Sequence, residues 1–170
     1  MGYTTDFSGA FKVNKPLRPE HKAYLEAFRR TRRMKRNEAE AERRPDHIRT
    51  AAGLPIGDEG AYFVGEGGHY GQDHGPSILD YNAPPAGQPG LWCQWRPTDD
   101  GAGIEWDNGE KFYEYTEWLQ YLIDHFLAPW GYVLTGKVTY QGEDRSDHGT
   151  IEVLGNAAHK REGGRRRNRR

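Results

Sequence analysis

The densest gathering of chemically useful side chains is the run Arg29-Arg30-Thr31-Arg32-Arg33-Met34-Lys35-Arg36, six cations in eight residues. Neutralising a phosphate backbone needs charge at this density, and a guanidinium fork holds two phosphate oxygens where an ammonium acts as a point. A second gathering closes the chain, where Lys160-Arg161-Glu162-Gly163-Gly164 leads into Arg165, Arg166, Arg167, Asn168, Arg169 and Arg170. No aromatic interrupts it, so base stacking is not offered and polyanion contact through it would be blind to sequence. The first run has two other uses. Cations near a helix C-terminus complement the macrodipole, and they can answer carboxylates of the same molecule. Arg29, Arg30, Arg32, Arg33, Lys35 and Arg36, with Arg165, Arg166, Arg167, Arg169 and Arg170, are the candidate contacts to a partner or a polyanion.

Other constellations carry less. Trp92 and Trp95 lie on one expected strand with opposite parity, so one of them needs a cover other than the helices: a loop, a ligand or a partner. His69, Asp73 and His74 sit in a Gly-rich stretch, and Asp144, Asp147 and His148 in a turn; neither group has the regular spacing of a ligand motif, and no metal is assigned. Gly65 to Gly71 is Gly-rich but lacks the Lys-Ser/Thr of a phosphate loop. Cys93 with His125 would formally make a nucleophile and base, yet a thiol between tryptophans in a strand is expected to be buried and inert. No catalytic residue and no cofactor is assigned.

The elements that would position these residues follow from periodicity. Phe7, Gly9, Phe11 and Val13 alternate with Asp6, Ser8 and Lys12, which predicts a strand within 3–17. Pro19 and Glu20 open a helix over 19–36 that good helix formers carry on toward Arg44. From Asp46 to Gly90 the pattern dissolves into turn chemistry, with a short strand at Ala61–Val64. Leu91–Arg96 and Ile104–Trp106 read as paired strands. Phe112, Tyr115, Trp118, Leu119, Leu122, Ile123, Phe126 and Leu127 predict a helix over 110–128, capped by Asp107 or Asn108. Tyr132, Leu134, Val138 and Tyr140 alternate with Val133, Thr135, Lys137 and Thr139, and Thr150–Leu154 pairs back across a turn. The order predicts an α+β domain over 1–158: an antiparallel sheet with two helices on one face, in a ferredoxin-like split βαβ arrangement. An extra C-terminal strand and a long Gly/Pro-rich insertion at 46–90 complete it, and residues 159–170 follow as a disordered Arg-rich tail.

Charge is sharply segregated along the chain. Residues 18–50 hold eleven Lys/Arg against six Asp/Glu, residues 51–158 hold four against seventeen, and 159–170 hold seven against one, although the net charge is only −1. Such segregation speaks of partners rather than fold. One cysteine, no secretory signal at the N-terminus and no apolar run of membrane length predict a cytoplasmic protein without a membrane partner.

Tyr3-Thr4-Thr5-Asp6-Phe7, Thr31-Arg32-Arg33-Met34-Lys35-Arg36, Gln88-Pro89-Gly90-Leu91-Trp92-Cys93-Gln94-Trp95, Ile104-Glu105-Trp106-Asp107, Glu110-Lys111-Phe112-Tyr113 and Trp130-Gly131-Tyr132 resemble a family of small proteins from actinobacteria and their bacteriophages. The similarity spans most of residues 1–154. It implies a phage or mobile-element setting but no activity, cofactor or site. The leading expectation is a non-enzymatic interaction protein that binds a host or phage protein, or a protein–nucleic-acid assembly, through the basic helix and the acidic, aromatic-rich body. Three other functions compete with it. One is sequence-independent nucleic-acid binding by helix and tail, another a small-molecule or nucleotide-binding domain or enzyme with 46–90 as lid, and the last an acidic mimic of DNA.

Overall fold

The N-terminal alternation folds as two strands in line, β1 (Thr5–Ser8) and β2 (Ala10–Val13), in the computed structural model, which describes residues 2–66 and 75–164. Both run antiparallel to β7 (Leu134–Gly142) in one continuous register, with Ser8 opposite Thr139 and Lys12 opposite Thr135. The joint is Gly9 at φ +107°, matched on β7 by Gly136 at φ +131°. Glycine takes such angles at little cost, and a Cβ on Gly136 would stand 3.4 Å from the Cα of Phe11. Beyond this kink the other edge of β2 pairs with β6 (Gly103–Trp106), Phe11 lying opposite Ile104.

β6 also pairs with β5 (Trp95–Pro97), while β7 pairs with β8 (His148–Leu154) and β8 with β9 (Ala157–Glu162). The sheet runs β5-β6-β2-β7-β8-β9 with β1 beside β7, and every one of these pairings is antiparallel. Period two then divides the side chains. Phe11, Trp95, Ile104, Leu134, Val138, Ile151 and Val153 are buried in one cluster with Tyr24, Leu25 and Phe28 of α1 (Pro19–Arg30) and Trp118, Leu119 and Leu122 of α4 (Tyr115–Leu122). Full burial of side chains this large contributes about 1.5–3 kcal/mol each. Both helices therefore lie on one side of the sheet, and the fold is α+β.

Several boundaries differ from expectation. α1 stops at Arg30 rather than running to 36 or 44; the Thr31 hydroxyl donates to the Ala27 carbonyl at 2.8 Å and the chain turns extended. Lys35–Arg36 form β3, paired with β4 (Ile78–Asp80), and a separate short helix α2 (Glu38–Glu42) starts under an Asn37 cap. Tertiary burial of Arg33 and Met34 overrides helix propensity here. The stretch 46–90 carries α3 (His47–Ala51), a 3₁₀ turn (Asp58–Gly60) and β4, whereas Ala61–Val64 is not a strand. Asp46 accepts from Arg49 Nε at 2.8 Å and from the Val64 N–H at 3.3 Å, which ties this segment to itself.

The second long helix begins at Tyr115, not 110, because Lys111 and Glu114 sit at φ +57° and +55°. It ends in a π turn, Ile123–Leu127, that keeps Phe126 and Leu127 inside. The tail boundary expected at 159 falls within β9, where His159 pairs with Glu152 and Glu162 with Gly149. Lys160 adds to this order, since its ammonium stands about 5 Å from the ring centres of Tyr115 and Tyr140. Among the described residues no helix is long and apolar enough to cross a membrane.

Candidate functional site

The basic run is not a helical surface. Arg33 is 2% exposed and Arg36 3%. The Arg33 fork is filled from inside: Nε donates to Gln88 Oε1 at 3.2 Å, Nη1 to the Phe63 carbonyl at 2.8 Å and Nη2 to the Ala61 carbonyl at 2.7 Å. Its plane lies 4.2 Å over the Phe28 ring, and burial pulls its pKa down. Gln88 completes the network by donating to the Ala61 carbonyl at 2.6 Å and to the Tyr121 hydroxyl at 3.0 Å. Arg36 donates to Ser77 Oγ at 2.8 Å and covers Phe63.

The remaining four are engaged nearer the surface. Arg29 holds Glu26 and stands 3.7 Å from Asp107 Oδ2, and Arg30 shares Glu26 at 3.4 Å. Arg32 donates to the Tyr81 carbonyl at 3.1 Å and lies over the Tyr81 ring. Lys35 reaches Glu59 at 3.7 Å. Each of the six cations expected to meet a partner thus has a group of this chain beside it, with Arg33 and Arg36 buried and the side chains of Arg30 and Lys35 still 44% and 37% exposed. Arg165, Arg166, Arg167, Arg169 and Arg170 lie outside the described residues.

Trp95 is buried, donates from Nε1 to the Tyr115 carbonyl at 2.8 Å and meets Phe7, Phe11 and Phe112 edge-on. Trp92 is half-buried and precedes the strand, so the expected opposition of the two tryptophans across one strand does not occur. Cys93 is buried, and burial pushes its thiol up to about 12. His125 is exposed on the π turn, stacks 4.0 Å from the Tyr121 ring and bonds through Nδ1 to the Tyr62 hydroxyl at 2.9 Å. The nucleophile–base pairing of Cys93 with His125 is absent. A parallel arrangement holds His21, stacked 4.0 Å from Trp130 and bonded to the Tyr132 hydroxyl at 2.8 Å. Burial lowers the pKa of both imidazoles. Among the described residues no group of three His, Cys, Asp or Glu is placed to hold a metal ion; His69, Asp73 and His74 lie outside them.

The outer side of the sheet is where exposed cations and hydroxyls assemble. Along β7, Thr135, Lys137, Thr139 and Gln141 are exposed between buried neighbours. Register places Ser8, Thr139, Thr150 and Arg161 in one row across β1, β7, β8 and β9, and Lys137, Glu152 and His159 in the next. The ammonium of Lys137 and the Nε of Arg161 both approach one oxygen of Glu152, at 3.5 and 3.7 Å. Both cationic side chains remain 66% exposed while Glu152 is 13% exposed, so one sunken carboxylate serves two solvent-facing cations.

Family models, curated proteins and solved structures offer no match to this chain.

Lys12 and Lys137 are isolated in sequence and Arg161 belongs to the closing basic run, and only strand pairing brings the three onto one face. The signal for Lys12 and Lys137 was the period-two pattern of their strands, which marks a surface as well as a strand.

Proposed function

We propose that the protein is a non-enzymatic interaction module whose working surface is the outer face of β2, β7, β8 and β9. One observation carries the reading: α1, α4 and the buried aromatics pack on the other side, and among the described residues nothing covers this one. An uncovered sheet face presents many side chains at regular spacing, about 4.8 Å between strands and twice the residue rise along them. The side chains suited to chemistry support the same reading. The Cys93 thiol is buried, and Nδ1 of His21 and of His125 is bonded to a tyrosine hydroxyl. The strand order β5-β6-β2-β7, with α1 and α4 as crossovers, supports reading the core as a ferredoxin-like split βαβ unit extended by β8 and β9. The resemblance to actinobacterial and phage proteins makes a host or phage component the natural partner.

A charge-preserving block tests the surface. Thr135→Tyr with Thr139→Tyr crowds the face without altering its electrostatics. Capture from an actinobacterial host lysate with wild-type and blocked proteins should give a partner that the blocked protein loses. Identical capture by both would reject this face as the working surface.

A further inference from the structure

We infer that the outer sheet face takes the phosphate backbone of a nucleic acid, along a diagonal of cations from Lys12 on β2 through Lys137 on β7 to Arg161 on β9. This rests on the reading of that face as the working surface. Register fixes the diagonal: Lys12 lies opposite Thr135, two residues before Lys137, and Arg161 lies two residues beyond His159, which shares a row with Lys137. Strand spacing and rise give it a length of roughly 20 Å. Duplex DNA presents one charge per about 1.7 Å of axis, so a stripe of that length meets several phosphates.

Charge selects this occupant. Residues 51–158 carry seventeen carboxylates against four cations, so most of the body repels a polyanion. On the face itself Asp6 lies at one corner, Glu105 is answered by Arg96 at 3.2 Å, and Glu152 is shared by two cations. Between the cations stand the hydroxyls of Ser8, Thr135, Thr139 and Thr150, groups that donate to phosphate oxygens. No Phe, Tyr or Trp side chain belongs to these rows, so the contact is weighted to backbone rather than base.

Glu152 makes the inference sharp, because it holds Lys137 and Arg161 in place while neutralising part of their charge. Binding of the full chain to a labelled short duplex of arbitrary sequence, followed by anisotropy between about 50 and 200 mM salt, should weaken steeply with salt. Lys12→Gln/Lys137→Gln/Arg161→Gln should weaken binding about tenfold or more and make the log–log salt slope shallower by about 2.7. Glu152→Gln should tighten it several-fold, the opposite of what loss of a merely structural carboxylate would do. Thermal melts of all variants confirm that each is folded at the assay temperature.

Affinity flat against salt, a triple variant that binds like wild type, or a Glu152→Gln variant that fails to tighten overturns the inference. So does binding lost only when residues 165–170 are removed. If the duplex does not bind but the tyrosine-blocked face loses a captured acidic protein, the phosphate assignment falls and the interaction surface stands. If neither responds, both fall.

Discussion

Arg33 and Arg161 carry the same head group and meet opposite environments. Arg33 is sealed beneath the segment 61–63 with its fork filled by two carbonyls and an amide oxygen, and no salt bridge joins it to a carboxylate among the described residues. Arg161 stands on the outer sheet face, two-thirds exposed, with a loose approach to a shared carboxylate. Charge density in the sequence points to the first as a surface cation, and geometry leaves the second the more accessible. A cation's availability is set by what desolvates it, because a buried guanidinium must satisfy its donors internally or lose several kcal/mol. Arg33 thereby becomes a fastening between α1 and the irregular segment, while strand pairing leaves Lys137 and Arg161 facing solvent.

The largest effect should come from breaking that fastening. Arg33→Ala removes the donor to Gln88 Oε1 and to the Phe63 carbonyl, while the Ala61 carbonyl keeps Gln88 Nε2. Each of the two uncompensated losses costs about 1–3 kcal/mol, and the sum, read from the urea midpoint, should be at least about 2 kcal/mol of stability. Arg33→Lys should recover only part of this, because one ammonium cannot reproduce a planar fork. A midpoint within experimental error of wild type would mean the network is decorative.

Legibility in the sequence divides along the same line. Period two at 5–13 and at 134–140 marked the strands and their buried faces, and the stripe from Phe112 to Leu127 marked the helix that covers them, since burial writes itself directly into apolar spacing. The basic run misled because helix propensity and charge are local quantities. What ends α1 at Arg30 is long-range: carbonyls at 61 and 63 and the amide of Gln88, thirty and more residues away, claim Arg33. The left-handed turns at Lys111 and Glu114 that delay α4 have no composition signal, because neither residue favours φ above zero. The outer face was readable as alternation, but its diagonal of Lys12, Lys137 and Arg161 required the register, which no single strand contains.

A smaller effect distinguishes two polar clusters on the helical side. His21 and His125 each stack on an aromatic ring and bond to a tyrosine hydroxyl, and burial lowers the pKa of both. Glu20 and Asp124 pull the other way, and Arg18 reinforces the depression at His21. With folded values below the ordinary value of about 6.5, the unfolded chain takes protons first as pH falls. Their stabilising contribution is therefore full above about pH 6.5 and is lost as pH drops through the depressed folded values. Asp46 and Asp107, raised by burial, act with opposite sign, their contribution fading as pH rises from about 3.9. His21→Gln with His125→Gln isolates the imidazoles: its stability should vary less between about pH 7 and 5 than that of wild type, read from urea midpoints. Parallel curves would show that the tyrosine bonds survive protonation.

The smallest effect is the one that separates the two cationic regions most cleanly. Exposed ion pairs contribute about 0–1 kcal/mol, since two long side chains lose freedom to form a contact that water already screens. Lys137→Gln and Arg161→Gln should each shift stability by no more than about 0.5 kcal/mol. The pair together should exceed the sum, because each cation can hold Glu152 in the other's absence and only the double variant leaves that sunken carboxylate without either. A loss near the size expected for Arg33→Ala would place the outer cations in the same structural class as the buried one. Near-silence in stability leaves the outer face free to be judged by what it binds, with Arg33, unable to reach a partner without unfolding its surroundings, as the internal standard for an arginine that only holds the fold.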